Sequence, residues 1–464
     1  MSDARPLVIT GVALGAGLLA VWGGFAALSL DRLIMGVGAV VLFALVFLRT
    51  EFGLYVLIFS MLLSPEFSLG GQLAERREAA IRAEDVLLVV IGLAWLAKTA
   101  VNKEIGLVVK TPLNRPILVY IASQLIATLL GMVVGTVRTT TGLVYVVKYI
   151  EYFLIYYMVT NNVEDRLHAW RLVGAAFVTA AIVSVHGLLQ IPKGQRVSAP
   201  FEGDAGEPNT FGGYLLMMIA VAAGLAFEAR SIRARVAYTG LLAVMVVPFL
   251  YTLSRASYLA VVPMVLALVV LFPRRRLLLA VVAGIAVIVA MVAPPQAIQK
   301  RVTHTFEPSQ RFGDKPSRFD SSTTERLESY EAALEAWARS PILGRGVTGF
   351  RFIDAQYPRL LVESGIVGFA AFVWLIAALV LAVGRVWRDG DSPPIRGLAG
   401  GFLAAIIGIL VHAIGSNSFI IIRIMEPFWL FAALVLTMHR VPEREVPTRV
   451  PQPQPWRNAP ARSV

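Results

Sequence analysis

Residues 245–270 read MVVPFLYTLSRASYLAVVPMVLALVV, in which a single charged residue, Arg255, separates two apolar runs. A charge between apolar runs is costly unless it lies at a membrane interface, faces a cavity or meets a partner. The stretch therefore predicts two membrane-spanning helices with a short turn between them. Arg255 is a candidate site residue, because a guanidinium offers a planar set of donors that suits phosphate. The alternative is an arginine that extends to lipid headgroups at a helix end.

The composition of the whole chain has the same apolar character. Of its 464 residues, 57% are hydrophobic and only 16% are charged, and the mean hydropathy is +0.70. The predicted fold class is all-α, a polytopic helical membrane protein with about 12–14 transmembrane helices. The chain has no cysteine, which excludes disulfides, thiolate metal sites and a cysteine nucleophile.

Length and hydropathy place about fourteen spans along the chain. The first is interpreted as a retained span and not as a removed signal peptide, and the short second and third are candidates for one broken unit. The predicted spans are 7–29, 33–48, 52–64, 85–101, 114–135, 143–160, 168–191, 209–228, 236–252, 256–272, 277–293, 360–384, 397–415 and 419–438.

Loop arginines predict the orientation, because basic loops favour the cytoplasm. When the spans are counted alternately, these clusters and both termini fall on one side, which is therefore expected to be cytoplasmic. The net charge of +12 is accordingly attributed to membrane topology and contact with anionic lipids, and no nucleic-acid partner is expected. The arginines concerned are Arg230, Arg233, Arg235, Arg274, Arg275, Arg276, Arg385, Arg388, Arg396, Arg440 and Arg444.

The opposite side receives the segments 65–84, 192–208, 253–255 and 294–358. In the last of these, Ser322 and Glu325 have capping-box spacing and precede apolar residues at helical period, which predicts an amphipathic helix ending near Pro341. The chain is therefore predicted to have four parts. They are an N-terminal bundle at 1–293, a periplasmic loop with helices at 294–358, C-terminal spans at 359–440 and a disordered, Pro-rich tail at 441–464.

Several stretches in a fixed order carry a resemblance to a known family. They read RVSAPFEGDAGEPNTFGGYLL at 196–216, LYTLSRASYLA at 250–260, SPILGRGVTGF at 340–350 and QYPRLLVESGIVGFAAF at 356–372. This order resembles the O-antigen ligase and Wzy-type polymerase superfamily of bacterial envelope glycosyltransferases. The resemblance implies a GT-C-like membrane enzyme without metal or cofactor, which inverts the anomeric centre and acts at the periplasmic face of the inner membrane.

The same resemblance implies the substrates and part of the site. The donor is an undecaprenyl-pyrophosphate-linked saccharide, the acceptor is a glycan, and membrane lipids and a chain-length regulator or other envelope polysaccharide machinery are expected partners. Arg196 and Arg255 are implied to hold the pyrophosphate, with Asn209 beside it. Two positioned guanidiniums would stabilise the leaving pyrophosphate in the absence of a metal. The alternatives are an ordinary loop cation at Arg196 and a helix cap at Asn209.

The acceptor side departs from the ligase pattern. Ligases of this superfamily carry a histidine in a His-Asn-x-Tyr-Leu pattern, where residues 354–358 here read DAQYP. Asp354 in that place favours a polymerase-like member, with transfer to lipid A-core or a protein as the alternative. Asp354 is the candidate for accepting the acceptor's proton or binding a sugar hydroxyl, and His304 is the second candidate base. Tyr357 and Glu363 are candidates for substrate binding.

Charges inside the predicted spans supply further candidates. Lys148 and Glu151 lie three residues apart in LVYVVKYIEYFLIYYMV at 143–159, on one helical face where they can pair. Lys148 is otherwise a third cation for pyrophosphate. Arg423 is a substrate-binding candidate in the last span, and His412 is more typical of a core histidine than of a base. The sequence contains no Walker loop and no zinc-type histidine pair.

Two other functional classes fit a chain with many spans. A secondary transporter or flippase would show Gly/Pro-interrupted helices in corresponding halves, and this sequence shows no such pairing. A scaffold for envelope assembly would leave Arg196 and Arg255 far apart or facing lipid.

Overall fold

The computed structural model describes residues 30–67, 81–101, 109–202, 206–277 and 321–441. Apart from short 3-10 turns and one antiparallel pair of two-residue strands, β1 Glu66–Phe67 and β2 Ile81–Arg82, their regular structure is α-helical. The helices are α1 Leu30–Leu48, α2 Thr50–Leu63, α3 Ala83–Val101, α4 Asn114–Val134, α5 Thr139–Asn162, α6 Arg166–Gln190, α7 Pro208–Glu228, α8 Ile232–Tyr251, α9 Arg255–Leu271, α10 Ser321–Ala338, α11 Gln356–Asp389, α12 Pro393–His412 and α13 Ile422–Arg440.

The helices confirm the predicted fold class of a polytopic helical membrane protein. Eight of them, α4 to α8 and α11 to α13, are long and apolar enough to cross a membrane, and α1, α2 and α9 contain shorter apolar stretches. Helix α3 includes Glu84, Asp85 and Lys98, which lower its hydropathy. The predicted spans at 7–29 and 277–293 lie outside the described residues, apart from Leu277, and so does the tail after residue 441.

The boundaries of the C-terminal helices differ from the prediction by a few residues, and the start of α11 is the difference that concerns a candidate residue. Helix α11 begins at Gln356, so the end of the predicted loop at 356–358, including Tyr357, is helical. The predicted span begins only at residue 360, after Pro358, although proline is tolerated in the first turn of a helix. Helix α11 is interrupted at Gly365, which has φ 62° and ψ −165°. The helix predicted in the loop before Pro341 is present as α10.

Small residues bring α7 and α12 into close contact at the centre of the bundle. A Cβ on Gly224 of α7 would lie 2.3 Å from the carbonyl oxygen of Gly397, and one on Gly401 of α12 would lie 2.7 Å from that of Ala220. Close backbone approach at small residues is a usual way in which membrane helices associate. In their most apolar stretches, 89% of the residues of α7 are buried, against 17% of those of α8. Helix α8 therefore lies at the surface of the bundle.

The two ends of the bundle differ in charge. At one end Arg166 donates to the carbonyl oxygen of Met438 at 3.1 Å and to Asp391 at 2.5 Å. This bond lowers the pKa of the Asp391 carboxyl. Arg440 donates to the carbonyl oxygen of Thr160 at 2.6 Å. We call this the arginine-rich end. The opposite end carries the segments 191–202, 206–207, 252–254, 339–355 and 413–421.

Candidate functional site

Arg196, at the opposite end, is held against the turn between α8 and α9. Its Nε donates to the carbonyl oxygen of Thr252 at 3.0 Å, and its Nη2 donates to that of Leu253 at 3.4 Å. Nη2 also lies 3.3 Å from Oδ1 of Asn209, near the start of α7. The structure therefore brings together Arg196, Asn209 and the turn that precedes Arg255.

The turn itself has an unusual backbone. Helix α8 ends at Tyr251 and α9 begins at Arg255, which confirms the short turn that the sequence predicts at 253–255. Leu253 has φ 50°, a left-handed conformation that is uncommon for a bulky residue and carries strain. Because Arg196 binds the carbonyl oxygens on both sides of the Leu253 α-carbon, it stabilises this conformation.

The turn also places two helix N-termini beside the arginines. Helix α7 begins at Pro208 and α9 begins at Arg255, and the N-terminus of a helix carries a partial positive charge that favours anions. Arg196, Asn209 and Arg255 are each half-buried, so all three side chains retain access to the surface. The arrangement suits a phosphate-bearing ligand.

Arg423 lies inside the bundle and holds the segment that carries Arg196. Its Nη1 is 3.3 Å from Glu202 Oε1 and donates to the carbonyl oxygen of Pro200 at 3.0 Å, while Nη2 donates to that of Ser64 at 3.0 Å. The side chains of Arg423 and Glu202 are both 0% exposed. The structure thus places Arg423 in a buried ion pair, whereas the sequence interpretation made it a candidate for substrate binding.

A buried hydrogen-bond network connects the turn before Arg255 to the loop between α12 and α13. His412 Nε2 lies 3.1 Å from Ser257 Oγ, and Nδ1 lies 2.7 Å from Ser418 Oγ. The Ser257 hydroxyl is in turn 2.8 Å from that of Ser254, which caps α9. Since both ring nitrogens are bonded within the core, the structure agrees with the interpretation of His412 as a core histidine.

Residues 353–356, which we call the Asp354 segment, contact the same loop. The Asn417 amide donates to the carbonyl oxygen of Ile353 at 2.7 Å, and the Gln356 N–H donates to that of Ala413 at 3.1 Å. The side chain of Asp354 between them is half-buried. The loop at 413–421 therefore supports both the Asp354 segment and, through His412, the turn before Arg255. The second candidate base, His304, lies outside the described residues.

Glu363 and Tyr357 hold the Asp354 segment to its neighbours. Glu363 Oε1 lies 3.1 Å from Nε of Arg359 and accepts the N–H of Thr348 at 3.0 Å, and both side chains of this ion pair are buried. The Tyr357 hydroxyl donates to the carbonyl oxygen of Leu410. In this structure both candidates bind protein groups, so the geometry gives them a positioning role.

Lys148 belongs to a larger charged cluster than the sequence indicated. Its Nζ lies 3.2 Å from Asp85 Oδ2 on α3. Glu151 and Glu426 are buried beside this pair. The ion pair of Lys148 is thus with α3, whereas the predicted pairing with Glu151 on one face of α5 stays a prediction. Among the described residues no group of three or more His, Asp or Glu has the geometry to hold a metal ion.

Sequence reasoning missed the residues that position the site. Ser257, Asn417 and Ser418 were not singled out, although the polar triplet SNS at 416–418 interrupts an apolar region. Arg359 was also missed, although its spacing of four residues from Glu363 is typical of an ion pair on a helix. The partners of Arg423 left no local signal, because Glu202 lies 221 residues away.

Comparison with known protein families gives a match over part of the chain. Residues 240–373 match a family model described as O-antigen ligase, and no curated protein matches the chain. The match confirms the predicted resemblance and supports an O-antigen ligase-like or polymerase-like function, and with it a glycosyltransferase-like enzyme in the membrane. The matched segment includes Arg255, Asp354, Tyr357 and Glu363 but not Arg196.

Proposed function

We propose that this chain is a membrane glycosyltransferase that polymerises undecaprenyl-pyrophosphate-linked oligosaccharides. The observation that carries the proposal is the contact of Arg196 with the turn before Arg255, beside the N-termini of α7 and α9. A charge arrangement of this kind is suited to a pyrophosphate that must leave from an anomeric carbon.

The donor half of the reaction follows from this geometry. The bond between the anomeric carbon and the pyrophosphate oxygen breaks, and the electron pair goes to the leaving pyrophosphate. Arg196 and Arg255 supply charge-assisted donors to its oxygens, and Asn209 orients Arg196 through its side-chain oxygen. Because these groups are held before the reaction, they require little reorganisation as negative charge develops.

The acceptor half places Asp354 opposite the leaving group. An acceptor hydroxyl oxygen forms the new bond to the anomeric carbon from the opposite face, which inverts the configuration, and its proton passes to the Asp354 carboxylate. Asp354 is supported for this role by its half-buried position and by the loop that it shares with the network leading to Arg255. Because Asp354 is half-buried and its neighbours contact the loop at 413–421, its carboxylate is held in a defined position relative to the acceptor hydroxyl.

The second candidate function is ligation, which the description of the matching family favours. A ligase would move the glycan to a lipid A-type acceptor instead of to another lipid-linked chain. Both reactions use the same donor half, so Arg196 and Arg255 have the same role in each. The two functions differ in the acceptor that the Asp354 segment admits.

Reconstitution with a defined donor tests the proposal. Purified protein in lipid nanodiscs is incubated with synthetic undecaprenyl-pyrophosphate oligosaccharide, with and without a lipid A-type acceptor. We expect elongation by the wild type and a loss of about a hundredfold or more for Arg255→Ala, as for removal of one donor to a developing charge. Arg388→Ala, at an exposed arginine of the arginine-rich end, is the matched control. Equal elongation by the two variants would contradict the role of Arg255, and transfer to lipid A without elongation would identify a ligase.

A further inference from the structure

A groove lies between α6 and α8 on the surface of the bundle, near the N-terminal ends of both helices. Trp170, Gly174 and Phe177 line it on α6, and Tyr238 and Leu241 line it on α8. Its cavity volume is about 430 Å³, which falls within the roughly 300–1,000 Å³ of small-molecule sites. We call it the α6–α8 groove.

The groove is open at two lining residues that carry little or no side chain, Gly174 on α6 and Ala237 on α8. A Cβ on Gly174 would find no atom within 4 Å, and this glycine is exposed. The rings of Phe177 and Tyr238 contact each other, with centroids 5.9 Å apart, and join the two helices. The α6–α8 groove is therefore an open, apolar channel with aromatic walls, and it is not filled by the described side chains.

The position of the groove relates it to the membrane interface. Trp170 is four residues and Phe177 is eleven residues from the start of α6 at Arg166. At about 1.5 Å per residue, the groove extends from the helix ends to a depth of roughly 17 Å. Trp and Tyr side chains are enriched at membrane–water interfaces, so the groove opens at the interface and leads into the hydrocarbon region.

The mouth of the groove is positively charged on its α8 side. Arg230 and Arg233 are exposed at the start of α8, and Arg233 lies four residues before Ala237 of the groove, on the same helix face. Helices α6 and α8 both begin at this end. The N-terminus of α8 adds partial positive charge, whereas that of α6 is capped by the Asp165 carboxylate, which accepts the N–H of His168 at 2.7 Å. The nearby acid Glu228 is 3.8 Å from Arg396.

We propose that the α6–α8 groove binds an anionic phospholipid, with one acyl chain in the groove and the phosphate at Arg230 and Arg233. The apolar walls suit the acyl chain, and the arginines suit a phosphate that carries net negative charge. A zwitterionic phospholipid with the same chains fits the walls equally well but gains less from the arginines. This site is separate from the proposed pyrophosphate site, which lies at the opposite end of the bundle.

Bound lipid also has a consequence for the proposed active site. Helix α8 is the least buried of the eight long apolar helices, at 17%, and it leads directly to Thr252, whose carbonyl oxygen accepts from Arg196. A lipid seated between α6 and α8 adds apolar contacts to this helix. The lipid therefore stabilises the element that positions Arg196.

Lipid binding by the intact protein tests the inference without relying on the enzymatic reaction. The full chain in detergent is titrated with dioleoyl phosphatidylglycerol or dioleoyl phosphatidylethanolamine, and bound lipid is counted by native mass spectrometry. We expect wild type to prefer phosphatidylglycerol, and Gly174→Leu, which fills the groove, to bind it about tenfold more weakly. Arg233→Gln is expected to weaken phosphatidylglycerol about fivefold and to weaken phosphatidylethanolamine by a smaller factor.

The matched control is Gly240→Leu. Gly240 is exposed on α8, a Cβ there finds no atom within 4 Å, and it does not line the groove. We expect this variant to bind both lipids as wild type does. If Gly174→Leu fails to fold, Ala237→Leu fills the groove from the other wall. Equal wild-type affinity for the two lipids, unchanged binding by the filled variants, or a protein dimer that seals the groove would each overturn the inference.

Discussion

Arg196 shows how one residue is used both to build the candidate site and to supply its charge. Its guanidinium reaches two backbone carbonyl oxygens and the Asn209 side chain at once. Only a planar group with several donors in a fixed fork can do so. The same geometry fixes the turn at Leu253 and hence the start of α9 at Arg255.

The substitution Arg196→Lys distinguishes the effect of the positive charge from that of the planar arrangement of donors. Lysine keeps the positive charge but cannot reach both carbonyl oxygens and Asn209, so we expect a loss of stability of about 1.5–3 kcal/mol. We also expect turnover to fall at least about tenfold, because the turn before Arg255 loses its support. Thermal unfolding and lipid-linked elongation are the measurements, with Arg388→Lys as control. Turnover and unfolding temperature equal to those of the control would show that Arg196 does not hold the turn.

Substitutions in the Arg423–Glu202 pair are expected to change stability in a different way, because both side chains are fully buried. Arg423→Met leaves the Glu202 carboxylate buried without its cation, and we expect a loss of about 3–5 kcal/mol. The double variant Arg423→Met/Glu202→Leu removes both charges, so we expect it to regain much of that stability. Thermal unfolding of the single and double variants tests this. If the double variant is no more stable than the single one, the cost lies in packing and in the hydrogen bonds that Glu202 accepts from the N–H groups of Ala199 and Glu207, and not in the unpaired charge.

Among the elements, α11 is the one whose conformation depends most on a single residue. Gly365 has φ 62° and ψ −165°, in a region that residues with a Cβ rarely adopt. An added Cβ would lie 2.3 Å from the carbonyl oxygen of Ile342. The interruption separates the first turns of α11, which hold Tyr357 and Glu363, from the long apolar span that follows. The Asp354 segment therefore has its own anchor, independent of the span.

Gly365→Ala is expected to destabilise the protein by about 1–3 kcal/mol or more, because it combines backbone strain with a steric clash. Gly384→Ala is the matched control on the same helix, since a Cβ there finds no atom within 4 Å. We expect the control to stabilise the protein by about 0.5–1 kcal/mol, as for glycine replaced within a helix. The unfolding temperatures of the two variants should thus move in opposite directions, and a shift in the same direction would contradict the interruption at Gly365.

For the whole molecule, the fold class could be predicted because hydropathy is a local property of the sequence. The short turn at Arg255 and helix α10 followed from charge interruption and helical period, whereas the start of α11 was missed because proline permits a first turn. The candidate site depended on the family resemblance for Arg196. Contacts between distant segments, such as that of Arg423 with Glu202 at a separation of 221 residues, leave no pattern in the local sequence.

The charges at the two ends of the bundle predict the orientation of the whole molecule in the membrane. The arginine-rich end is expected to face the cytoplasm, and the end with Arg196 the periplasm. The chain has no cysteine, so a single introduced cysteine is a unique label. Lys193 and Arg388 are exposed cations at the two ends. We expect a membrane-impermeant maleimide to label Lys193→Cys in intact spheroplasts and Arg388→Cys only after permeabilisation. Labelling in the reverse order would place the arginine pair on the cytoplasmic side, where a periplasmic glycan acceptor cannot reach it.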